Sequence, residues 1–527
     1  MGKCWLVAIL LLCIFGHELS NGAIGEQRAG LSQDDELRPG ALPVFTQLEN
    51  LKSSRNQPPK KTDANERYNL VSEAALSNDT CLIFCSHYSI GQWYLLELGI
   101  QAAWSSTTGS SAVKVAVLDS GIKLDQFDLS SNVSRPGCGL PDEQLGSLNH
   151  GTFVAGLIGA NANNSFGISG ANWSVQIIDV PVLVNGVGLP KDIANGIRCA
   201  ADLGVDILNL SFVEKSGAES SLISDAIKYA QGQGALVVAA AGNSGGSIAR
   251  NPAALPGVVG VIGVDRNFNW MTSSDWGTWA DLAAPGADLI SLSGTNNLAL
   301  AMGSGTSYAA ALVSGAAALI KSQFPHFTAQ QISDRLKRTS SNYLGRGSLS
   351  EAGLLHFGKA VTDPLRALWQ ATDQGQVIAL GEARHHGEIS AVGESQIVGI
   401  VAKSDGTGYW LVNAAGKVFS FGEAVHHGDL STLVLNEPIV GMERSASGDG
   451  YWLVASDGGV FSFGDTTFKG SAISLGVEKK VIAINRDGAG YEIVSSDGGV
   501  LDFASPDLGS AVEVVMRGSV VAASGPG

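Results

Sequence analysis

The sequence predicts an α/β protein built on a doubly wound parallel sheet, followed by an all-β repeat domain that is propeller-like. Between residues 113 and 264, short apolar runs alternate with helix-compatible stretches, which is typical of βαβ units with helices on both faces of a sheet. From residue 366 a unit of about 40 residues recurs, a period typical of stacked small β-sheets. The length of 527 residues and the hydrophobic content of 45% fit two or three globular domains.

The apolar runs are predicted to be buried parallel strands, because they are continuous and rich in β-branched residues. These runs are Val113–Leu118, Val175–Val180, Val205–Leu210, Ala235–Ala240 and Val258–Val264. The helix-compatible stretches between them include Thr152–Gly159, Lys191–Leu203 and Ser220–Gln231. Since the carboxyl ends of parallel strands meet at one edge of a sheet, we expect Asp119 and Asn243, which follow two of these strands, to lie at that edge.

The repeat unit begins with a Gly-Tyr-Trp-Leu-Val pattern, and a glycine-containing turn then leads into a second β-type run. Copies begin at Gly408, Gly450 and Gly490, and a degraded first copy contains Trp369. Such a turn between two runs predicts a hairpin. The segment before each tyrosine, such as Ile397–Ala402, predicts a further strand, and the Phe468–Gly470 region predicts a fourth. Four strands per copy indicate the blades of a small β-propeller.

Two histidine pairs, His385–His386 and His426–His427, occupy equivalent positions in successive copies. The third copy has Phe468–Lys469 there. Because a phenylalanine cannot ligate a metal, we interpret the pairs as packing residues and not as ligands.

The amino-terminal segment is predicted to be a signal peptide spanning residues 1–22. Lys3 precedes an apolar run, Trp5–Phe15, which is short for a membrane span of about 20 residues. Residues 23–88 are mostly polar and are interpreted either as a pro-segment or as a flexible arm. The α/β domain is placed at 89–362 and the repeat domain at 366–527. Later apolar runs are also too short for a span, so we expect no stable membrane insertion.

Four cysteines remain after such a signal, an even number that suits an oxidising compartment. We pair Cys81 with Cys85 because they are close in sequence, and Cys138 with Cys199 by elimination, with free thiols as the alternative.

The net charge limits the class of partner. With 33 Lys and Arg against 49 Asp and Glu, the formal charge is −16, which disfavours nucleic acid because phosphates require clustered basic residues.

Four polar residues lie in local contexts that suit hydrolysis by a serine nucleophile. Asp119 opens an Asp-Ser-Gly turn, His150 lies in Asn-His-Gly-Thr, Ser307 lies in Gly-Thr-Ser-Tyr-Ala and Asn243 lies in Gly-Asn-Ser-Gly. A hydroxyl attacks, an imidazole takes its proton, and a carboxylate orients the imidazole. A further donor must stabilise the oxyanion.

These motifs, in the order Asp, His, Ser, resemble the subtilisin-like serine proteases, or subtilases. The resemblance extends from about Gln92 to about Val361 and ends in Glu351–Leu355, which is similar to the closing helix of that family. It implies that Ser307 is the nucleophile, His150 the general base and Asp119 its orienting carboxylate. It also implies that Asn243 is the oxyanion donor. Substrate-binding backbone is implied at Ser211, Phe212, Val213, Ala240 and Gly242.

Several residues depart from the family pattern, and these affect the expected shape of the substrate pocket. Phe153 stands where a second histidine is frequent, and Tyr308 stands where methionine is frequent. Arg250 is interpreted as a solvated surface residue, with a place near the first specificity pocket as the alternative. In that alternative, acidic side chains before the scissile bond would be preferred.

A structural calcium ion is a further expectation from the resemblance. Gln92, Asp128, Asn163 and Asn164 resemble the strong calcium site of the family and carry the oxygen donors that Ca²⁺ prefers. No cofactor is expected for the chemistry itself.

The sequence therefore predicts a secreted serine endopeptidase acting on proteins or peptides. The alternative is a secreted adhesion or scaffold protein that carries a vestigial peptidase domain. The ligand of the repeats stays open.

Overall fold

The structure is a computed structural model, and all of its described residues belong to one compact unit within Pro43–Gly527. It describes the backbone of 45–47 and residues 77–83, 85, 91–215, 220–341, 352–389, 395–473 and 479–503. The predicted signal peptide, most of the predicted pro-segment and the end of the repeat domain, 504–527, lie outside the described residues. No helix in the described part of the chain combines the length and the apolar character needed to cross a membrane.

The α/β domain contains a parallel sheet of eight strands, in the order β13-β10-β9-β8-β6-β2-β4-β3. The strands of this domain are β1 (Phe45–Gln47), β2 (Gly109–Asp119), β3 (Val133–Ser134), β4 (Ser174–Pro181), β5 (Val187–Gly188), β6 (Ile207–Leu210), β7 (Phe212–Val213), β8 (Leu236–Ala240), β9 (Val258–Val264), β10 (Leu282–Pro285), β11 (Leu289–Leu292), β12 (Leu300–Gly303) and β13 (Gly353–Leu354). The helices are α1 (Trp93–Glu97), α2 (Ile100–Trp104), α3 (Asn149–Gly159), α4 (Pro190–Asp202), α5 (Ser221–Gly232), α6 (Thr306–Gln323), α7 (Ala329–Thr339) and α8 (Phe357–Thr362).

Alternating side chains of β2 fill two hydrophobic cores, one on each face of the sheet. Val115 and Val117 pack in the core that includes residues of α3 and α6. Ala116 and Leu118 pack in the core that includes residues of α4 and α5. Because a strand directs successive side chains to opposite faces, a strand that is apolar at every position must be covered on both. The predicted parallel sheet with helices on both faces is therefore confirmed.

The prediction of a closing helix at Glu351–Leu355 is wrong. Gly353–Leu354 instead forms β13, which pairs in parallel with Leu282–Ala283 of β10, and Leu355 N donates to Ala283 O at 2.9 Å. An edge strand leaves backbone groups without partners, and the extended segment satisfies those of β10. The helix begins later, at Phe357.

Both predicted disulfides are present. One joins Cys81 to Cys85, and the other joins Cys138 to Cys199. The second ties the loop ahead of α3 to helix α4.

The repeat domain consists of small antiparallel sheets, one for each predicted copy. Their strands are β14 (Ala367–Ala371) and β15 (Val377–Gly381), then β16 (Ile397–Ala402), β17 (Gly408–Asn413) and β18 (Val418–Gly422), then β19 (Ile439–Arg444), β20 (Gly450–Ala455) and β21 (Val460–Gly464), and finally β22 (Val481–Asp487), β23 (Gly490–Ser495) and β24 (Val500–Phe503). Consecutive sheets pack against each other, since Trp410 and Val412 share a core with Tyr451 and Leu453 of the next copy.

The predicted fourth strand at Phe468–Gly470 is wrong, because residues 466–470 form no strand. Their backbone is bonded by a side chain of the next copy. Tyr491 Oη accepts from Lys469 N at 3.0 Å and donates to Gly470 O at 2.6 Å. Lys469 and Gly470 therefore find hydrogen-bond partners outside a strand ladder.

The same tyrosine contact recurs at earlier boundaries between copies. Tyr451 Oη accepts from His427 N at 3.2 Å and donates to Gly428 O at 2.6 Å. Tyr409 contacts His386 N and Gly387 O in the same way. Each hydroxyl therefore links its own copy to the preceding one.

A buried ion pair joins the α/β domain to the first repeat hairpin. Arg335 of α7 is fully buried, and its Nη1 donates to Glu382 Oε1 at 2.9 Å. Arg338 Nη2 donates to the same oxygen at 2.7 Å, and Arg366 N donates to Glu382 Oε2 at 2.6 Å. Arg335 Nε also donates to Ala360 O at 2.6 Å. Glu382, next to β15, is therefore held by charged and backbone donors.

Candidate active site

The polar residues predicted from the motifs are placed at the ends of elements that meet on one side of the sheet. Asp119 is the last residue of β2, and Asn243 lies three residues beyond β8. His150 is the second residue of α3, and Ser307 is the second residue of α6. The carboxyl ends of strands and the amino ends of helices meet at such an edge in doubly wound folds.

Asp119 and His150 form a buried pair. His150 Nδ1 lies 2.8 Å from Asp119 Oδ1 and 2.9 Å from Asp119 Oδ2, and the histidine and the aspartate are 2% and 0% exposed. The helix can approach the strand end because residue 151 is glycine. A Cβ there would lie 2.5 Å from Gly121 O, closer than a side chain permits.

Ser307 lies at the buried start of α6. Its Oγ donates to Ser211 O at 3.2 Å, and Ser211 Oγ donates to Ser307 O at 3.4 Å. The ring of the next residue, Tyr308, lies 5.6 Å from the His150 imidazole, measured between centroids. The residue that follows Ser307 therefore packs near the imidazole.

Asn243 is fixed by the residue that precedes Ser307. Its Oδ1 accepts from Thr306 N at 3.0 Å, and Gly242 N donates to Thr306 Oγ1 at 3.1 Å. Because the oxygen of the amide is engaged, the Nδ2 group is the donor end. Thr306 carries no signal in the sequence beyond its place in the Gly-Thr-Ser motif.

The predicted substrate-binding strand is paired with a segment of the chain itself. β1 lies between β5 and β7 and runs antiparallel to both. Thr46 pairs with Val187 of β5 and with Val213 of β7, and Gln47 pairs with Phe212. The predicted substrate cleft is therefore bordered by two strands, β5 and β7, of which the sequence indicated only β7.

The two departures from the family pattern contact each other. The rings of Phe153 and Tyr308 lie 4.1 Å apart between centroids, and both are 2% exposed. They form one aromatic wall next to His150.

Arg250 is not a solvated surface residue, because its side chain is 20% exposed and ion-paired. Its Nε lies 3.0 Å from Asp275 Oδ2, and its Nη2 donates to Ser244 Oγ at 2.9 Å. Its Cδ would lie 3.3 Å from a Cβ at Gly242, a residue predicted to bind substrate. Arg250 therefore lies at the loop that begins with Gly242, and Asp275 offsets its charge.

A second buried carboxylate, which the sequence did not reveal, supports the turn after Asp119. Asp179 of β4 is fully buried, and its Oδ2 accepts from Ile122 N at 3.1 Å and from Arg135 Nε at 2.6 Å. Burial raises the pKa of the Asp179 carboxyl to about 6, although Arg135 opposes the rise.

The residues predicted to bind calcium lie near one another, but their oxygens accept hydrogen bonds from protein donors. Asp128 Oδ1 accepts from Asn164 Nδ2 at 2.7 Å, and Asp128 Oδ2 accepts from Ile168 N at 2.9 Å. Gln92 Oε1 accepts from Ser169 N at 2.7 Å. Burial raises the pKa of Asp128 to about 7.

A neighbouring acid completes this network. Asp79 Oδ2 accepts from Asn163 N at 2.9 Å, and Asp79 Oδ1 accepts from Asn164 N at 2.9 Å. The four predicted residues and Asp79 therefore belong to one hydrogen-bond network. Structural calcium stays a prediction.

Comparisons with known proteins agree with the motifs. Residues 110–356 match the model of the Subtilase family. The chain is 36% identical over 264 residues to the thermophilic serine proteinase of Bacillus sp. (strain AK1), covering 49% of this chain and 64% of that protein, so slightly less than two thirds of that relative is matched. It is 34% identical over 279 residues to thermitase of Thermoactinomyces vulgaris, covering 52% of this chain and 97% of thermitase. A solved protease of Pseudoalteromonas arctica PAMC 21717 is 30% identical with a TM-score of 0.48, covering 55% of this chain and 99% of that one.

A buried parallel sheet with these motifs at one edge defines a protease of the serine class. The chain belongs to the subtilase family, and it is a serine-type endopeptidase. The matched region ends before the first repeat strand, so the family assignment concerns the α/β domain.

Proposed function

We propose that the chain is an exported endopeptidase that cleaves proteins or peptides through Asp119, His150 and Ser307, with Asn243 as oxyanion donor. The observation that carries this proposal is the buried contact of His150 Nδ1 with both oxygens of Asp119, beside the start of α6. A carboxylate in this position fixes the tautomer that carries its proton on Nδ1.

In the proposed reaction, the Ser307 hydroxyl leaves Ser211 O and turns toward His150 Nε2. Ser307 Oγ attacks the carbonyl carbon of the substrate, and its proton passes to Nε2. The imidazolium is stabilised by Asp119, which stays ionised. The imidazolium then returns the proton to the departing amine as the peptide C–N bond breaks, and the acyl group remains on Ser307 Oγ. Water attacks this ester with His150 again as the base. The imidazolium then returns that proton to Ser307 Oγ as the bond between Oγ and the acyl carbon breaks, and the acid product leaves.

Asn243 supports the tetrahedral intermediate. With Oδ1 bonded to Thr306 N, the Nδ2 group is available to donate to the oxyanion. The helix α6 contributes as well, because backbone N–H groups at its start carry partial positive charge. In subtilisin itself, loss of the asparagine oxyanion donor costs about 10²–10³ in kcat, and we expect a loss of the same order here.

Substrate binding is proposed to follow the arrangement of β1. An extended peptide that pairs with both β5 and β7 satisfies its backbone groups through β-augmentation. Phe45–Gln47 already lies in this position, which supports both the binding mode and the interpretation of 23–88 as a pro-segment. Processing near this strand would release the cleft.

Export is proposed from the signal-type sequence and the disulfides, because such bonds persist in oxidising compartments. For the repeats, a propeller-like arrangement stays a prediction, supported by consecutive sheets that pack against each other.

The experiment that tests the proposal is labelling of the full chain with a serine-directed phosphonate, together with casein hydrolysis. We expect the wild type to be labelled and active, and Ser307→Ala to lose both properties. Ser322→Ala, at the far end of the same helix, is the matched control and should keep both. Persistent labelling of Ser307→Ala would contradict the nucleophile assignment, and an inactive wild type would favour the adhesion or scaffold alternative.

A further inference from the structure

We propose that Asp275 is a positioning residue for Asn243: its buried carboxylate holds the loop after Asn243 in the shape that keeps the amide beside Ser307. This proposal rests on the function proposed above. It assigns a role to an acid that belongs to none of the sequence motifs.

The carboxylate is the acceptor around which the loop folds. Asp275 is 1% exposed. Its Oδ1 accepts from Ser244 Oγ at 2.7 Å, from Ser244 N at 3.1 Å and from Gly246 N at 2.8 Å. Its Oδ2 lies 3.0 Å from Arg250 Nε. A carboxylate can accept several such bonds at once, and bonds to an ionised acceptor are the strong ones.

Asp275 contacts the chain on both sides of Asn243. Ser244 follows Asn243 directly, and Gly242, which precedes it, accepts from Asp275 N at 2.8 Å. Gly242 has a φ of 116°, and a Cβ there would lie 2.2 Å from Asp275 Oδ2. The loop therefore takes a left-handed backbone at Gly242 in order to pass the carboxylate.

The acid is itself anchored to the sheet. Ser274 Oγ accepts from Gly263 N of β9 at 3.0 Å, and Met271 N donates to Gly263 O at 3.0 Å. The amide of Asn243 is thus bonded to Thr306, and the residues on either side of Asn243 are bonded to Asp275.

The chemistry predicts that the charge, and not only the shape, is required. In Asp275→Asn one carboxylate oxygen becomes an NH₂ donor. That donor must then face either Arg250 or the N–H groups of Ser244 and Gly246. Either choice breaks part of the contact, so the loop and Asn243 shift. A displacement of about 1 Å in an active site can cost about 100-fold in rate.

The test is a double-mutant cycle between Asp275→Asn and Asn243→Ala, measured as kcat and KM for a chromogenic peptide with the full chain. We expect Asp275→Asn to lower kcat by roughly 10- to 100-fold and to change KM by less than about twofold. In the Asn243→Ala background the further loss should be less than about threefold, because the group that Asp275 positions is gone. Equal losses of kcat in the two backgrounds would overturn the proposal, as would an unchanged kcat in Asp275→Asn.

Two further variants keep the test decisive. Asp265→Asn is the matched control, since Asp265 also accepts backbone N–H groups on a loop after β9, and it should leave kcat unchanged. If Asp275→Asn does not fold, Ser244→Ala takes its place, because it removes one donor from the Asp275 carboxylate. It should lower kcat by a smaller factor, and this loss should likewise shrink in the Asn243→Ala background. If Asn243→Ala and Ser307→Ala leave kcat unchanged, the proposed function fails. If both lower it and Asp275→Asn shows no coupling, the role of Asp275 alone fails.

Discussion

Replacing Glu382 should weaken the junction between the α/β domain and the repeats. Glu382 is 5% exposed and Arg335 is 0% exposed, so the pair is out of solvent. Burial alone would raise the pKa of Glu382, but donors from Arg338, Arg366 and Arg335 outweigh it, and the pKa lies below its ordinary value. The ionised form is therefore the one that the folded protein stabilises.

The size of the effect follows from what Glu382→Gln leaves behind. Breaking a buried ion pair by removing one partner costs about 3–5 kcal/mol. Arg335 keeps its bonds to Ala360 O and Asp363 O, so we expect the lower end, about 3 kcal/mol. For a domain of this size, 1 kcal/mol shifts Tm by roughly 2–4 °C. The first thermal transition should therefore fall by roughly 6–12 °C.

The assay is differential scanning calorimetry at neutral pH, in the Ser307→Ala background to prevent self-digestion. Glu388→Gln, in the segment after this hairpin, is the matched control, because the Glu388 side chain is 46% exposed and a glutamine oxygen can still accept from Val377 N. It should change stability by less than about 0.5 kcal/mol. Because the folded pKa of Glu382 is depressed, its contribution is complete above the unfolded value of about 4.3 and is lost as the pH falls through the folded value. The difference between Glu382→Gln and its parent should close in acid. Equal melting temperatures for the Glu382 and Glu388 variants at neutral pH would refute the reasoning.

Three other predictions concern the α/β domain. Because the pKa of Asp179 is raised to about 6, stability should fall by roughly 3 kcal/mol as the pH rises from about 3.9 to 6. Urea titrations of Asp179→Asn at several pH values should lack this fall, and a pH dependence of stability equal to that of the wild type would contradict the prediction. The alternative that Arg250 lines the first specificity pocket predicts that Arg250→Ala reduces cleavage after acidic residues relative to leucine in a peptide library; an identical cleavage pattern would exclude that alternative. The predicted calcium site implies that EDTA lowers Tm and that Ca²⁺ restores it, whereas an unchanged Tm would count against the site.

The sheet could be predicted because a doubly covered strand leaves a clear pattern. Val258–Val264 is apolar at every position, and the structure gives β9 the same bounds. The motif residues could also be predicted from the sequence, since Asp119 ends a strand and Ser307 begins a helix, each next to glycine or small residues. Periodicity and turn residues are local signals, and these elements depend on local rules.

The features that the sequence did not predict depend on contacts between segments that are distant along the chain. Gly353–Leu354 becomes a strand only because β10 offers an edge, which the segment itself cannot reveal. Lys469 and Gly470 are bonded by Tyr491 of the next copy, a contact that the sequence around Phe468 does not reveal, so this sequence suggested a strand that does not form. Asp275 acts across 31 residues on Ser244, and a lone acid in a polar stretch has no pattern.

Because of the tyrosine hydroxyls at the boundaries of the repeats, each copy depends on its neighbour for some of its backbone hydrogen bonds. Tyr451 is contributed by one copy, and its partners His427 and Gly428 belong to the copy before. We therefore expect a duplication or deletion to be tolerated only in whole periods, because each tyrosine hydroxyl then keeps a glycine carbonyl of the preceding copy as its acceptor. A cut through the array would leave a donor on one fragment and an acceptor on the other, which favours growth of the array by complete periods over gradual lengthening.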